Sequence, residues 1–341
     1  MKKRVLSVLT SMALGVTVLT SGMAVEASAD AGEKYTIGVC WYSQSAQFMA
    51  TCRAYMDQYV EANFADEITL IHMDGQADSA TQLGQVDNLI AQEVDMILLN
   101  PNDSEQLAPA GTAAKNAGIP LIEFNVQTSN SEDRVTYLGS DHKISALMTA
   151  TALCEALGGE GKIINIIGPT GHEAQISRDE GLQEVLAEYP GVEIIAEKVC
   201  NWDTTQAMEA VENVIQSGME FDAVFAQNDE MAKGAIEALK GTDLEGKVLV
   251  TGIDGMDFAI EYVQAGTQLC TAFQYAKGQA EGAIDAALAY LNGEELEDYI
   301  DVPFILAYDN DEFIEKYAEE KGWDIRHSDD PIFDTSDAEL K

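Results

Sequence analysis

From residue 35 onward, short apolar runs alternate with longer stretches in which apolar residues recur every three or four positions. The short runs fall at 35–41, 68–74, 96–100, 120–125 and 135–138, then at 162–167, 193–200, 223–227, 247–252 and 270–274. They are apolar throughout rather than on alternate positions, which predicts strands covered on both faces of a parallel sheet. Between the first two, Phe48, Cys52, Tyr55, Met56 and Tyr59 recur at helical spacing and predict a helix over 48–63. Strand and helix in strict alternation mean an α/β fold, and two series of five strands mean two doubly wound parallel-sheet lobes. A boundary is expected near Gly139-Ser140-Asp141. A helical stretch at 277–292 and an apolar run at 300–305 follow the second series. Returning them in part to the first lobe makes the domains discontinuous: 33–140 with 275–303, and 141–274 with 304–325. Residues 326–341 read as a loosely packed acidic tail.

In doubly wound sheets, ligands sit beyond the carboxyl ends of the strands. The residues at those positions are Trp41 and Tyr42, Asn100, Asn125, Gly171 and His172, Trp202, Asn228, Asp254 and Gln274, with Arg178 in the helix after His172. Amides, a carboxylate and a guanidinium suit a solute whose hydroxyls both donate and accept. Aromatic rings suit its apolar C–H faces, and Phe48, Trp202 and one of Trp41 or Tyr42 supply them. A small polyol or sugar satisfies both requirements.

Other chemistries lack their motifs. No glycine-rich dinucleotide fingerprint follows a strand, and there is neither a phosphate-binding GxxxxGK[ST] loop nor a GxSxG elbow. The four histidines and five cysteines show no metal-ligand spacing, so no metal, no cofactor and no enzyme activity are expected. The cysteines read as small core residues, with a Cys40–Cys52 pair left open. A net charge of -40 repels nucleic acid and anionic lipid, which removes both as partners. The basic head Lys2-Lys3-Arg4, the apolar run to Val25 and the small-residue exit Ala27-Ser28-Ala29 read as a signal peptide over 1–29. No lipid-anchoring cysteine accompanies it, so a monomer released into periplasm or medium is expected.

Several of these strand ends resemble the periplasmic sugar-binding proteins of the ribose and galactose type. Phe225-Ala226-Gln227-Asn228-Asp229-Glu230-Met231-Ala232 resembles the strand-to-helix signature of the family's second lobe. Leu99-Asn100-Pro101-Asn102-Asp103-Ser104 is similar to its third strand and turn, and Gly252-Ile253-Asp254-Gly255 to its G-x-D-[AG] motif. Gly171-His172 with Arg178, Phe124-Asn125 and Trp202-Asp203-Thr204 look most like the galactose- and glucose-binding members. The resemblance spans about Tyr35 to Phe304 and implies two lobes joined by a multi-strand hinge. It implies that Phe48 and Trp202 sandwich a sugar ring, with Tyr42 beside them. Asn125, His172, Arg178, Asn228 and Asp254 would bind hydroxyls. Gln274 falls near an interlobe crossing, and Asn100 either contacts the sugar or only holds its turn.

Two departures bear on the ligand. Ala46 and Ala174 stand where the galactose-type pattern carries acidic residues, and Asn125-Val126 replaces the ribose-type Asp-Arg pair. A deoxy-sugar, a substituted hexose or a larger glycoside therefore fits better than glucose, galactose or ribose. The implied partner is the membrane permease of an ABC-type importer. The alternative is a sensor that presents a sugar or signalling furanose to a membrane chemoreceptor or kinase.

Overall fold

A computed structural model describes residues 34–334. The segment read as a signal peptide, and the last seven residues, lie outside that range. Strands β1 (Tyr35–Trp41), β2 (Ile68–Asp74), β3 (Met96–Leu99), β4 (Leu121–Asn125) and β5 (Tyr137–Gly139) alternate with helices α1 (Gln47–Asn63), α2 (Ser79–Ala91) and α3 (Ala108–Ala117). The second series runs α4 (His142–Ala156), β6 (Glu160–Ile167), α5 (Glu173–Glu188), β7 (Gly191–Val199), α6 (Thr204–Gln216) and β8 (Ala223–Ala226). It continues with α7 (Asp229–Leu239), β9 (Leu249–Asp254), α8 (Asp257–Gln264), β10 (Cys270–Phe273) and α9 (Ala276–Leu291). The chain closes with β11 (Tyr299–Asp301), β12 (Ile305–Ala307), α10 (Asp311–Glu320) and β13 (Ile325–Arg326).

One sheet has the order β11-β5-β4-β3-β1-β2 and the other β13-β12-β10-β9-β8-β6-β7. All pairings are parallel except β10 with β12. The reason for parallel layering is visible in β1. Ile37, Val39 and Trp41 face a core shared with α1 and α9, while Cys40 faces one shared with α2 and α3. Neither face of the strand meets water, so both must be apolar. All five cysteines are buried and unpaired, Cys40 and Cys52 included.

The chain crosses between sheets at β5–α4, β10–α9 and β11–β12. The 300–305 run, read as one element, is divided: its beginning pairs with β5 and its end with β10. Hydrogen bonds tie the crossings together. The Val302 N–H donates to Gly139 O (2.9 Å), and the Ser140 hydroxyl donates to Val302 O (2.6 Å).

The loose packing expected from residue 326 onward is corrected over 326–334, and the rest of that tail lies outside the described residues. Arg326 is in a strand, Ser328 bonds Asp309 through both its N–H and its hydroxyl (2.7 Å each), and Phe333 is 3% exposed. Phe333 packs edge-on against Phe273, with centroids 5.3 Å apart. A single buried aromatic among carboxylates is too short a pattern to show periodicity, yet it is enough to anchor the segment.

Close helix packing gives a test of the second lobe. A Cβ on Gly234 would stand 2.2 Å from Thr204 O and 2.9 Å from the Ala207 Cβ, where α7 crosses α6. Gly234→Ala is expected to cost about 1–3 kcal/mol in chemical denaturation. Gly84→Ala, in an exposed turn of α2 with open space around it, should be neutral or stabilising by about 0.5–1 kcal/mol.

Candidate functional site

The carboxyl ends of both sheets meet at a cavity of about 50 Å³. Tyr42, Phe48, Asn125, His172, Arg178, Trp202, Asn228, Asp254 and Gln274 line it. Tyr42, Phe48 and Asn125 come from the first lobe, His172 to Asp254 from the second, and Gln274 from the crossing between them. Trp41 belongs to the core instead: its indole N–H donates to His72 Nδ1 (2.9 Å) and its ring lies edge-on to Phe124.

Asn100 is the residue that does not reach the cavity. Its side chain is fully buried, with Oδ1 accepting from the Tyr42 N–H (3.2 Å) and Nδ2 donating to Asn125 Oδ1 (3.3 Å). An amide consumed by the two neighbouring strand ends has no group left for a ligand. It positions Tyr42 and Asn125.

Backbone geometry aims several of these side chains. Asn125 (φ 65°), Trp202 (φ 61°) and Asp254 (φ 122°) all sit at positive φ, which β-carbon sterics disfavour for anything but glycine. Non-glycine residues persist there only where surrounding contacts hold them. For Asn125 the contacts are a Gln279 acceptor (3.0 Å) for its amide and two donors to its carbonyl, Tyr137 Oη (2.6 Å) and His142 Nε2 (2.8 Å). Asn228 caps α7 by accepting from the Met231 N–H (2.9 Å). Asp254 does not cap α8, whose N-cap is Met256. It turns inward to Arg178.

Arg178 organises the charge. Although it is 3% exposed, its Nη1 donates to Gln227 O (2.5 Å), and its Nη2 to Asp254 Oδ1 and His142 Nδ1 (3.3 Å each). Its guanidinium carbon lies 5.5 Å from the Trp202 ring centroid. A buried guanidinium needs such partners to offset its lost hydration. Burial pushes the Asp254 carboxyl up to about 7, with Arg178 pulling the other way and Asp229 adding to the rise. Burial, reinforced by Arg178, holds His172 down to about 3, so its ring is neutral. His172 contacts Tyr42 and Trp202 edge-on, at 5.3 and 5.5 Å between centroids.

What remains unpaired is informative. Both ring nitrogens of His172, the Arg178 Nε and the Gln274 Nε2 are buried and make no hydrogen bond. Unpartnered polar atoms in a protein interior are costly. Gathered between aromatic rings, they offer donors and acceptors to a polar solute.

Sequence reasoning missed three contributors. Glu230 also lines the cavity, its Oε2 accepting from the Thr204 hydroxyl (2.6 Å). His142 bridges the lobes, donating to Asn125 O through Nε2 and accepting from Arg178 through Nδ1. Burial, and then Arg178, hold it well below the usual imidazole range. Glu173, at the first turn of α5, is pushed up to about 7 by burial; its Oε2 makes no hydrogen bond and lies 3.8 Å from His142 Nε2. Glu230 was visible beside Asn228, but nothing in a single sequence marks which turn residues point inward. Ala46 and Ala174 do line the cavity, so both small side chains bear on its shape.

Comparison with known proteins agrees over most of the chain. Residues 37–295 match the family model described as "Periplasmic binding protein domain". A protein of Rhizobium meliloti named "Putative rhizopine-binding protein" is 36% identical over 80% of this chain and 89% of its own. A xylitol-binding protein of Mycolicibacterium smegmatis is 32% identical over 84% and 80% respectively. The crystal structure of an ABC transporter solute-binding protein from Bacillus halodurans C-125, with bound myo-inositol, superposes with a TM-score of 0.77. It shares 34% identity and covers 86% of this chain and 99% of that one.

Trp202 keeps its place only because the residue after β6 is a glycine. A Cβ on Gly168 would stand 2.1 Å from two atoms of the indole ring. Gly168→Ala should drive the ring off His172 and Arg178, read as a red-shifted tryptophan emission. Trp202→Phe should abolish that difference, leaving the signal of Trp41 and Trp323.

Proposed function

This chain belongs to the periplasmic binding protein family, and from that premise we propose that it captures a neutral sugar or related polyol between its lobes for an ABC-type importer. The observation that carries the reading is the set of unpaired atoms on His172, Arg178 and Gln274, residues that line one cavity with Phe48 and Trp202. Rings on opposite lobes stack on the C–H faces of a sugar, while the unpaired atoms and the Asp254 carboxylate take its hydroxyls. The relatives named for rhizopine and xylitol, and the structure holding myo-inositol, support a polyhydroxylated ligand. Their kind also supports an extracytoplasmic location, an ABC permease as partner and binding without catalysis. Export through residues 1–29, action as a monomer and the ten-residue ligand set reduced by Asn100 belong to the same reading. The sensor alternative uses the same closed cavity, and the importer relatives favour transport over it.

Titration by calorimetry against xylitol, myo-inositol, D-ribose and D-allose tests this directly. One class should bind saturably, and Arg178→Ala should weaken it at least tenfold, since a hydrogen bond to a charged group contributes about 1.5–3 kcal/mol. A response to amino acids alone would overturn the reading.

Binding should also depend on pH. A hydroxyl that donates to Asp254 requires the carboxylate, so binding releases a proton wherever the free group is protonated. With that group near 7, affinity should fall below pH 7, by up to about tenfold per unit. In the unliganded protein the sign reverses. The raised Asp254 contributes stability that is fully present below the ordinary carboxylate range and is lost as pH rises through 7. Affinity measured from pH 5 to 8 should flatten in Asp254→Asn, whereas an equal slope in that variant would assign the titration to Glu173 or to Asp229, which burial raises to about 6.

A further inference from the structure

A second and larger cavity, about 670 Å³, lies against the first. Gln47, Phe48, Glu230, Asp254, Met256 and Gln274 line both. The outer cavity is walled by α1 on one side and by the start of α8 and the β10–α9 crossing on the other. The C-terminal Pro331 and Ile332 complete it. The outer cavity is more than ten times larger than the inner one. The unpartnered, buried Gln274 Nε2 lies on the boundary they share.

The outer wall has a chemistry of its own. Phe258 and Tyr275 present ring surface, and Tyr275 is 38% exposed while resting on Phe273. The Lys233 ammonium stands 4.7 Å from the Phe258 ring centroid, and the Lys277 ammonium 5.9 Å from that of Tyr55. Rings offer platforms for C–H faces, and ammonium groups donate to hydroxyl or ether oxygens. Purely apolar cargo would leave those ammonium groups unused. An anionic substituent would face Glu230, Asp254, Asp257 and Asp334 across the same space. Neutral, oxygen-rich and more than one ring or side branch long is the ligand these walls match.

We propose that the outer cavity is a second subsite, and that the natural ligand is an O-substituted polyol or a disaccharide. Its first unit occupies the inner cavity and its substituent leaves past Glu230 and Gln274. This rests on the sugar-binding reading of the inner site.

The test uses matched pairs: galactosyl-myo-inositol against myo-inositol, phenyl β-D-galactopyranoside against D-galactose, and methyl β-D-ribofuranoside against D-ribose. For at least one pair, the substituted member should bind the full chain tenfold or more tighter than its parent. Lys233→Ala/Phe258→Ala should remove that margin and leave the parent's affinity within twofold. Lys277→Ala serves the same purpose should the double variant not fold. Parents that bind while every derivative binds equally or more weakly would overturn the subsite. So would a margin that survives the outer-wall variants, or variants that weaken parent and derivative alike. Absence of binding by all six compounds and by xylitol and D-allose would overturn the inner-site reading itself, a separate outcome.

Discussion

Burying the Arg178 guanidinium is the constraint around which the site is built. An unpaired cation at that depth would cost several kcal/mol, so each donor that does not face the cavity must find an acceptor within the protein. Gln227 O, Asp254 Oδ1 and His142 Nδ1 meet that need from three different elements. Each is fixed in turn. His142 spends its other nitrogen on Asn125 O, which belongs to the first lobe. Asp254 is held at an unfavourable φ beside Asp229, whose carboxylate accepts from Met256 N–H (2.9 Å) and Thr271 Oγ1 (2.8 Å). One charge thereby couples a strand end, a helix start and the interlobe crossing.

The same economy governs the first lobe, where amides take the place of charges. Asn100 bonds Asn125, Asn125 bonds Gln279, and Gln279 donates to the Ser140 hydroxyl (3.1 Å). That hydroxyl donates onward to Val302 O. The chain runs from the middle of the first sheet through α9 to two of the crossings. Buried amides that satisfy one another are rigid without carrying net charge. Hinge strands therefore meet a stiff, neutral network on one side and the Arg178 cluster on the other.

Much of this was legible from residue types alone. Strands buried on both faces announce themselves as continuous apolar runs, and β1 and β3 fall where the pattern puts them. Strand ends in parallel sheets are ligand positions by topology, which is why nine of the ten proposed residues share a cavity. What failed did so for identifiable reasons. Asn100 has the right type at the right strand end, but its orientation depends on neighbours no linear pattern encodes. His142 follows the predicted boundary and reads as a helix start; its role comes from contacts 17 and 36 residues away. Phe333 lies in a segment too short for periodicity. The motifs pointed toward glucose and galactose binders, whereas the relatives reported above are named for rhizopine and xylitol.

The side chains of the site divide unevenly between the lobes. The first lobe contributes Tyr42, Ala46, Gln47, Phe48, Met49 and Asn125 to the inner cavity, a wall with two amides and no charge. The second contributes His172, Arg178, Asn228, Glu230 and Asp254, which include every charged group except those of the outer rim. If hydroxyls are what the site takes, their strong partners lie almost wholly on the second lobe. Closure of the first lobe would then add an aromatic and aliphatic cover rather than new charged bonds, and would strengthen the bonds already made by excluding water from them. With Ala46 in place of a carboxylate, this division follows from the sequence itself. A ligand need present its polar edge in only one direction, and its other face can carry methyl, methylene or ring surface.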